Sequence, residues 1–558
     1  MIDSSVMLER KLGSQANRRH DQPSMAHTAT DLQRVLDYHQ RTKHHLERYA
    51  SGPETLDWSS QPEPFRSFAG APQIPLTLAA DWLTTPYFAI HGANLPPRTL
   101  SLEAVGLLLE LSLGLSAWKE YGPDRWALRC NPSSGNLHPT EGYIISQAVP
   151  DLADGVYHYL SRDHVLEQRC RLGGDNRPGL PSRLFVGLSS IHWREAWKYG
   201  ERAFRYCQLD TGHALGALRY AAAALGWRLR LVEGINGPDL AGWLGLDRDP
   251  DFSGVEEEEA ELLLEVIANP GAGSLQSLPD FTQSAQSWHG TANLLDPHPM
   301  YHWPIIDEVA AATGKAQGEG IPFAPETWPP LLRQGSDPAA SIIRQRRSAQ
   351  RFDARSEMSL NDFLGLMDAL LPRAIPPWDA WNFTPRLHPV LFVHRVAGLA
   401  PGLYILPRRA QVKDSLRSAM QHSFTWSKPA NCPDHLPLFE LAAGGCTQLA
   451  RTLHCHQAIA SDSAFALGML AEFDAPLSES PWHYRQLYWE AGLIGQALYL
   501  EAEALGLRGT GIGCYFDDAF HQLLGLTDKT FQSLYHFTVG TPLTDARILS
   551  LPPYPDRH

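Results

Sequence analysis

The sequence predicts an α+β protein in which one large domain is present twice. Two observations carry this. First, residues 210–227 (DTGHALGALRYAAAALGW) align without a gap with residues 490–507 (EAGLIGQALYLEAEALGL) at an offset of 280. The matches include Gly212/Gly492, Ala217/Ala497, Leu218/Leu498 and Gly226/Gly506. GWLGLD (242–247) meets QLLGLT (522–527) at the same offset, NLHP (136–139) meets RLHP (386–389), and GVYHYL (155–160) meets GLYILP (402–407). Solenoid repeats have far shorter periods, so this is a duplicated domain. Second, helical and strand patterns are mixed, and strands return from distant sequence, the pattern of α+β proteins. The chain therefore reads as a dimer fused into one polypeptide, with any active site at the seam.

The elements follow in order. Residues 1–27 carry basic residues without an apolar core, which excludes a secretory signal. They read as a flexible arm, with Met25 as an alternative start. Leu32, Val35, Leu36 and Leu46 argue a helix within 30–50. The Pro- and aromatic-rich stretch after it reads as an ordered segment lying on the fold, because Trp58, Phe65 and Phe68 favour burial. A helix is expected over 101–117, strands at 142–149, 155–160 and 183–191, and a long helix at 200–226 stopped by Gly226. Glu256–Glu259 read as a solvated acidic loop before a strand at 262–269. The Gly/Ser/Pro-rich stretch 276–300 reads as a linker between a first domain, 28–275, and a second, 301–558. The second copy repeats the order, with helices at 337–350, 359–371 and 487–506 and strands at 388–395, 402–406 and 534–540.

Composition narrows the function. A net charge of −14 argues against nucleic acid, which needs a basic footprint. No apolar run approaches the ~20 residues of a membrane span. Seven scattered cysteines make no disulfide framework, so a reducing cytoplasm is the expected compartment. His454 and His456 would share one face of a strand, but no further ligands cluster nearby and no metal is expected. Cys514 reads as a small core thiol.

Three motifs remain. Arg346, Arg347 and Ser348 leave a helix in the second copy, and guanidinium forks with a hydroxyl suit a phosphate. Pro132, Ser133, Ser134 and Asn136 precede a strand in the first copy, where small polar groups can wrap a polar ring. GTGIGCYF (509–516) places three glycines in a turn that lets backbone N–H groups approach a flat ligand. Its glycine spacing and its position after a helix exclude a dinucleotide fingerprint.

Together with WKYGERAFRYC (197–207), LDTGH (209–213) and GLRGTGIGCYFDD (506–518), these motifs resemble the FMN-dependent nitroreductase superfamily, and most closely its azoline-dehydrogenase branch. The resemblance runs from about residue 30 to the end. It implies two three-layer α/β/α sandwiches with antiparallel sheets, and a flavin at the interface that draws on both copies. The second copy would give the phosphate grip (Arg346, Arg347, Ser348, with Arg547 near the C-terminus), the turn Gly511-Ile512-Gly513 facing the flavin, and Gln350, which stands where the family commonly has Lys or Arg. The first copy would give Pro132, Ser133, Ser134 and Asn136, with Lys198 and Tyr199 in a lid region. Lys198 and Tyr199 match the pair that azoline dehydrogenases use for proton removal.

The reciprocal site should be broken. In the first copy Trp227 and Arg228 replace the Gly-rich turn, and in the second Asn382-Phe383-Thr384-Pro385-Arg386 replaces the polar loop. One FMN per chain is expected. The implied function is dehydrogenation of a peptide or amino-acid-derived substrate, with a cyclodehydratase as partner and a monomeric chain as a workable state. The alternatives are an NAD(P)H-dependent reductase of nitroaromatics or quinones, and a flavin-free scaffold of a biosynthetic complex.

Overall fold

The computed structural model describes residues 25–557 apart from 93–94, 174–180, 269–284, 316–322 and 332–334. Most of the expected arm, and the linker from 276 to 284, lie outside these residues. Both copies build an antiparallel sheet with the same strand order. In the first, Gly155–Leu160, Thr140–Gln147, Arg183–Ser190, Glu259–Ile267 and Arg228–Leu231 lie side by side. In the second the order is Gly402–Ile405, Leu387–Val393, Phe465–Glu472, Phe531–Gly540 and Arg508–Ile512. Alternate residues of one strand enter different cores: Leu387, Leu391 and Val393 one, Val390 and Phe392 another. Because side chains alternate across a strand, both faces of the sheet are covered, which makes each copy a three-layer sandwich.

The long helices Ala203–Ala224 and His483–Ala504 are buried almost throughout and pack on each other. They meet at the glycine pair seen in the repeat. A Cβ on Gly492 would stand 2.1 Å from the Leu209 carbonyl oxygen, and one on Gly212 would stand 2.2 Å from that of Trp489. Arginines at matching positions then cross the seam in opposite directions. Arg205 of the first helix pairs with Asp517 at 3.0 Å, and Arg485 of the second with Glu261 at 2.7 Å. The ends are exchanged as well. His44 of the N-terminal segment donates its backbone N–H to Asp517, and Leu549–Leu551 near the C-terminus pairs with Leu115–Tyr121 of the first copy.

Several expectations change. The first helix is Met25–Arg41, not 30–50, because Lys43 and His44 are drawn to Asp518 and Asp517. The helix expected over 101–117 ends at Glu110, where the Gly114 N–H turns back onto the Leu109 carbonyl at 2.8 Å, and Leu115–Tyr121 is a strand. Residues 285–292 are not a free linker, since Ala285–Trp288 and Thr291–Ala292 pair with strands of the first copy. The acidic loop is only partly solvated: Glu257 is exposed, but the other three are engaged. Glu258 is buried against Arg66 at 2.9 Å, Glu259 pairs with Arg485, and Glu256 accepts the backbone N–H groups of Leu295 and Asp296. Residues 454–456 form a turn after a short helix, and His454 bonds His536 at 3.0 Å instead of facing His456 along a strand.

One buried network sets a pH dependence. His158 lies between Glu167 at 3.0 Å and Glu141 at 3.2 Å, with its side chain fully buried. Burial alone would lower its pKa, but the hydrogen bonds that the ring donates to the two carboxylates outweigh it and raise the value to about 9. The resulting stabilisation is present below the ordinary histidine value of 6.5 and is lost as pH rises through about 9. Chemical denaturation across that range should show a loss on the order of a few kcal/mol. His158→Gln should flatten it, and an unchanged slope in that variant would assign the loss to other groups.

Candidate functional site

A cavity of about 450 Å³ lies at the seam between the copies, within the size range of small-molecule and cofactor sites. The first copy lines it with Pro132, Ser133, Ser134 and Asn136 from the loop before strand Thr140–Gln147. The second copy adds Arg346, Arg347, Ser348 and Gln350 from the exit of helix Ala339–Gln345, and Gly511, Ile512 and Gly513. The structure thus brings together the polar loop and the arginine–serine segment, which are more than 200 residues apart in sequence.

Its cationic end is formed by Arg346, Arg347, Lys119 and Arg508. Arg346 is buried. Its guanidinium bonds the carbonyls of Arg129 and Cys130 at 2.9 and 3.1 Å and lies 5.1 Å from the Tyr499 ring, while its Nε has no partner among the described residues. Arg347 bonds Ser116 and nearby carbonyls. Among the described residues neither arginine forms an ion pair with a carboxylate. Burial and then the neighbouring Arg346 push Arg347 down to about 10, and burial with the charges of Arg347 and Arg508 lowers Lys119. Arg508 pairs with Glu503 at 3.8 Å, so four cations face one paired carboxylate, an excess of positive charge that fits a dianionic group such as a phosphate.

The glycine segment differs from the expected turn. Arg508–Ile512 is an edge strand paired with Phe531–Gly540, and only 513–516 loop away. Glycine is required there because a Cβ at Gly511 would fall 1.8 Å from the Tyr535 hydroxyl, and one at Gly513 2.2 Å from the Tyr206 ring. The Gly511 N–H donates to the Tyr499 hydroxyl at 3.0 Å, which also bonds Ser348 at 2.8 Å. Cys514 lines the cavity and is not a core thiol.

Two expected residues stand elsewhere. Arg547 does not reach the cavity: it is largely exposed and forks onto Asp545 at 2.6 Å. Lys119 and Arg508 supply the charge instead, one from the first-copy strand Leu115–Tyr121 and one from the residue before the glycines. Lys198 sits behind Tyr199, which does line the cavity. Its Nζ would be 3.2 Å from a Cβ at Gly135, packed on the polar loop, and lies 5.4 Å from the rings of both Trp58 and Tyr199. Burial lowers the Lys198 pKa and raises that of Tyr199. The helix His192–Tyr199 that carries them is pinned at its end, where a Cβ at Gly200 would meet Gly52 at 2.5 Å.

Other lining groups were not singled out from sequence. Asp210 and His213 come from the first long helix, and Tyr499 and Tyr535 from the second copy. The repeat held a signal for the first two, because Asp210 and His213 face Glu490 and Leu493 at the offset of 280.

The reciprocal position is filled. Leu231 and Val232 stand where the other copy has Gly511 and Ile512, and with Trp482, Trp489 and Lys315 they leave only about 40 Å³. Phe383, in the segment that replaces the polar loop, packs on Trp381 at 5.2 Å and Trp482 at 5.8 Å, and Asn382 hydrogen-bonds Glu233 directly.

Comparison with known proteins bears on the fold. Residues 455–541 match the model of the nitroreductase family. A crystal structure from Anabaena variabilis, assigned as a nitroreductase, superposes with a TM-score of 0.65 over 91% of this chain and 99% of its own, at 22% identity. The chain has a nitroreductase-like fold. A nitroreductase-assigned protein of Methanocaldococcus jannaschii is 25% identical over 114 residues, or 18% of this chain, and the match spans 57% of that relative's length. The Escherichia coli McbBCD microcin synthetase complex with truncated pro-MccB17 bound overlaps at 17% identity, over 46% of this chain and 99% of that one, with a TM-score of 0.24, too low to carry weight. Among the described residues, no helix is long and apolar enough to cross a membrane.

Proposed function

We propose that the chain is an FMN-dependent oxidoreductase with one cofactor per chain, acting as a dehydrogenase on a peptide or amino-acid-derived azoline-type substrate. The observation that supports this best is the asymmetry of the seam: one cavity of about 450 Å³ lined by complementary half-sites, and one remnant of about 40 Å³ filled by aromatic side chains. In this reading Arg346, Arg347, Lys119 and Arg508 hold the phosphate, and Ser133, Ser134 and Asn136 hold the polar edge of the ring. When bound, FMN would supply the hydride acceptor.

The chain's own part is position and proton removal. Tyr199 borders the substrate side, and Lys198, partly desolvated and, among the described residues, near the Glu195 charge but not hydrogen-bonded to a carboxylate, is suited to act as the base. A lysine whose pKa is lowered by burial is neutral in a larger fraction of molecules at working pH, which is what a base needs. A cyclodehydratase partner is part of this reading, since that reaction class makes azolines.

Flavin released from purified protein and counted by absorbance should come to one FMN per chain. Two per chain would sink the asymmetric reading, and colourless protein after added FMN would sink the flavoenzyme reading. Anaerobic mixing with NAD(P)H should leave the flavin coloured; rapid bleaching would favour the nitroaromatic or quinone reductase.

A further inference from the structure

The two copies place a carboxylate at the same point of their long helices and treat it differently. Glu490 accepts the backbone N–H of Arg386 at 2.8 Å, and the buried Arg408 guanidinium pairs with it. Asp210, at the matching position, accepts the backbone N–H of Ser134 at 3.1 Å and the Ser134 hydroxyl at 3.0 Å. It is equally buried, and among the described residues no lysine or arginine pairs with it. One carboxylate is thus neutralised in a filled site, while the other lines the open cavity with no described cation paired to it.

The surroundings of Asp210 add no positive charge in contact. Glu195, on helix His192–Tyr199, is fully buried, and among the described residues neither of its carboxyl oxygens has a hydrogen-bond partner. Tyr199 faces Asp210 from the same helix, Tyr535 from strand Phe531–Gly540, and Cys207 from its own helix. His213, one turn further on, bonds Tyr535 at 3.0 Å and is held neutral by burial. Lys198 interacts with Glu195 and not with Asp210.

We propose that Asp210 is a proton-handling residue of the cavity, passing its proton through the Ser134 hydroxyl to an anionic oxygen or ring nitrogen of the bound molecule. With Asp210 protonated, one carboxyl oxygen accepts the Ser134 N–H. The other donates its O–H to Ser134 Oγ, whose own hydrogen then turns into the cavity. In the transfer the Asp210 O–H breaks, the Ser134 hydroxyl gains that proton and releases its original one, and the bound group takes it up. Asp210 is left as a carboxylate, and no electrons change hands. Burial is the main reason it carries a proton near neutrality, with its value raised to about 7 against the pull of the Ser133 and Ser134 hydrogen bonds.

The transfer rests on the redox reading of the cavity, but the protonation state does not, and the test separates them. Difference titration of cofactor-free protein should show wild type binding about one proton more than Asp210→Asn below a midpoint near 7. Superimposable curves would overturn the proposal. With FMN bound, substrate-driven flavin reduction should lose its pH limb near 7 in Asp210→Asn. Ser134→Ala should keep the titration and slow the step by about tenfold or more, as general-acid catalysis requires. A Ser134→Ala rate equal to wild type would overturn the relay. If Asp210→Asn does not fold, Asp210→Glu must displace the midpoint, and an unmoved midpoint would count against Asp210. Wild type that binds no FMN would defeat the function proposed above, while the first titration would still decide the protonation of Asp210.

Discussion

Replacing Gly492 by valine is expected to destabilise the chain by about 3 kcal/mol or more, the upper end of overpacking costs. Even the Cβ of alanine would lie 2.1 Å from the Leu209 carbonyl oxygen, 2.8 Å from the His213 nitrogen and 2.9 Å from the Gly212 Cα. These are backbone atoms of the facing helix, so no side chain can turn aside and the two helices must separate. The cavity draws residues from both copies, and Asp210 and His213 lie on the same helix as the contact. Ligand retention should therefore fall together with stability. Thermal unfolding of Gly492→Val and Gly212→Val, compared with Gly445→Ala, would check this, because a Cβ at Gly445 meets nothing within 4 Å. Equal unfolding temperatures for the three variants would show that the helices tolerate separation.

That contact was legible in the sequence, since Gly212 and Gly492 are the pair at which the two repeats align. A glycine in a helix interior is costly, so its presence in both copies signals a close approach. The strands expected at 142–149 and 155–160 had counterparts at 388–395 and 402–406, but the strand order was not legible, because Arg228–Leu231, Phe465–Glu472 and Arg508–Ile512 were not expected as strands. What was not legible depends on distant contacts. The strand Leu115–Tyr121 continues an apolar run and reads as helix until its hairpin partner Asp124–Arg129 and the C-terminal strand Leu549–Leu551 are known. Lys119 joins the cationic end only through that hairpin. Arg547 looked suitable from its place near the C-terminus, but Asp545, two residues away, captures it. Local ion pairing defeats an assignment made on position alone. The acidic run 256–259 failed for the opposite reason: its partners Arg66 and Arg485 come from far along the chain.

Replacing Lys198 by alanine is expected to lower dehydrogenase turnover by about 100-fold or more, the range of a general base, with FMN still bound. Lys198 does not line the cationic end of the cavity, so the phosphate contacts should be unaffected. The lysine packs over Gly135, whose φ of +60° places the polar loop against the pair. A change of side chain could disturb that loop as well as remove a base, and the pH profile separates the two effects. Removal of a base eliminates the limb at which Lys198 loses its proton, a limb displaced below the ordinary lysine range because burial lowers its pKa. Loss of loop packing would scale the profile down without changing its shape. Lys198→Arg keeps the stem and charge but cannot deprotonate. It should be nearly as slow as the alanine variant if the lysine is the base, and near wild type if it only supports the loop. A reductase reading makes a third prediction: flavin reduction by NAD(P)H would proceed in all variants at similar rates, because hydride delivery from a nicotinamide needs no base at this position. The three outcomes differ in rate, in pH profile and in donor, so one set of variants assigns the role of the pair.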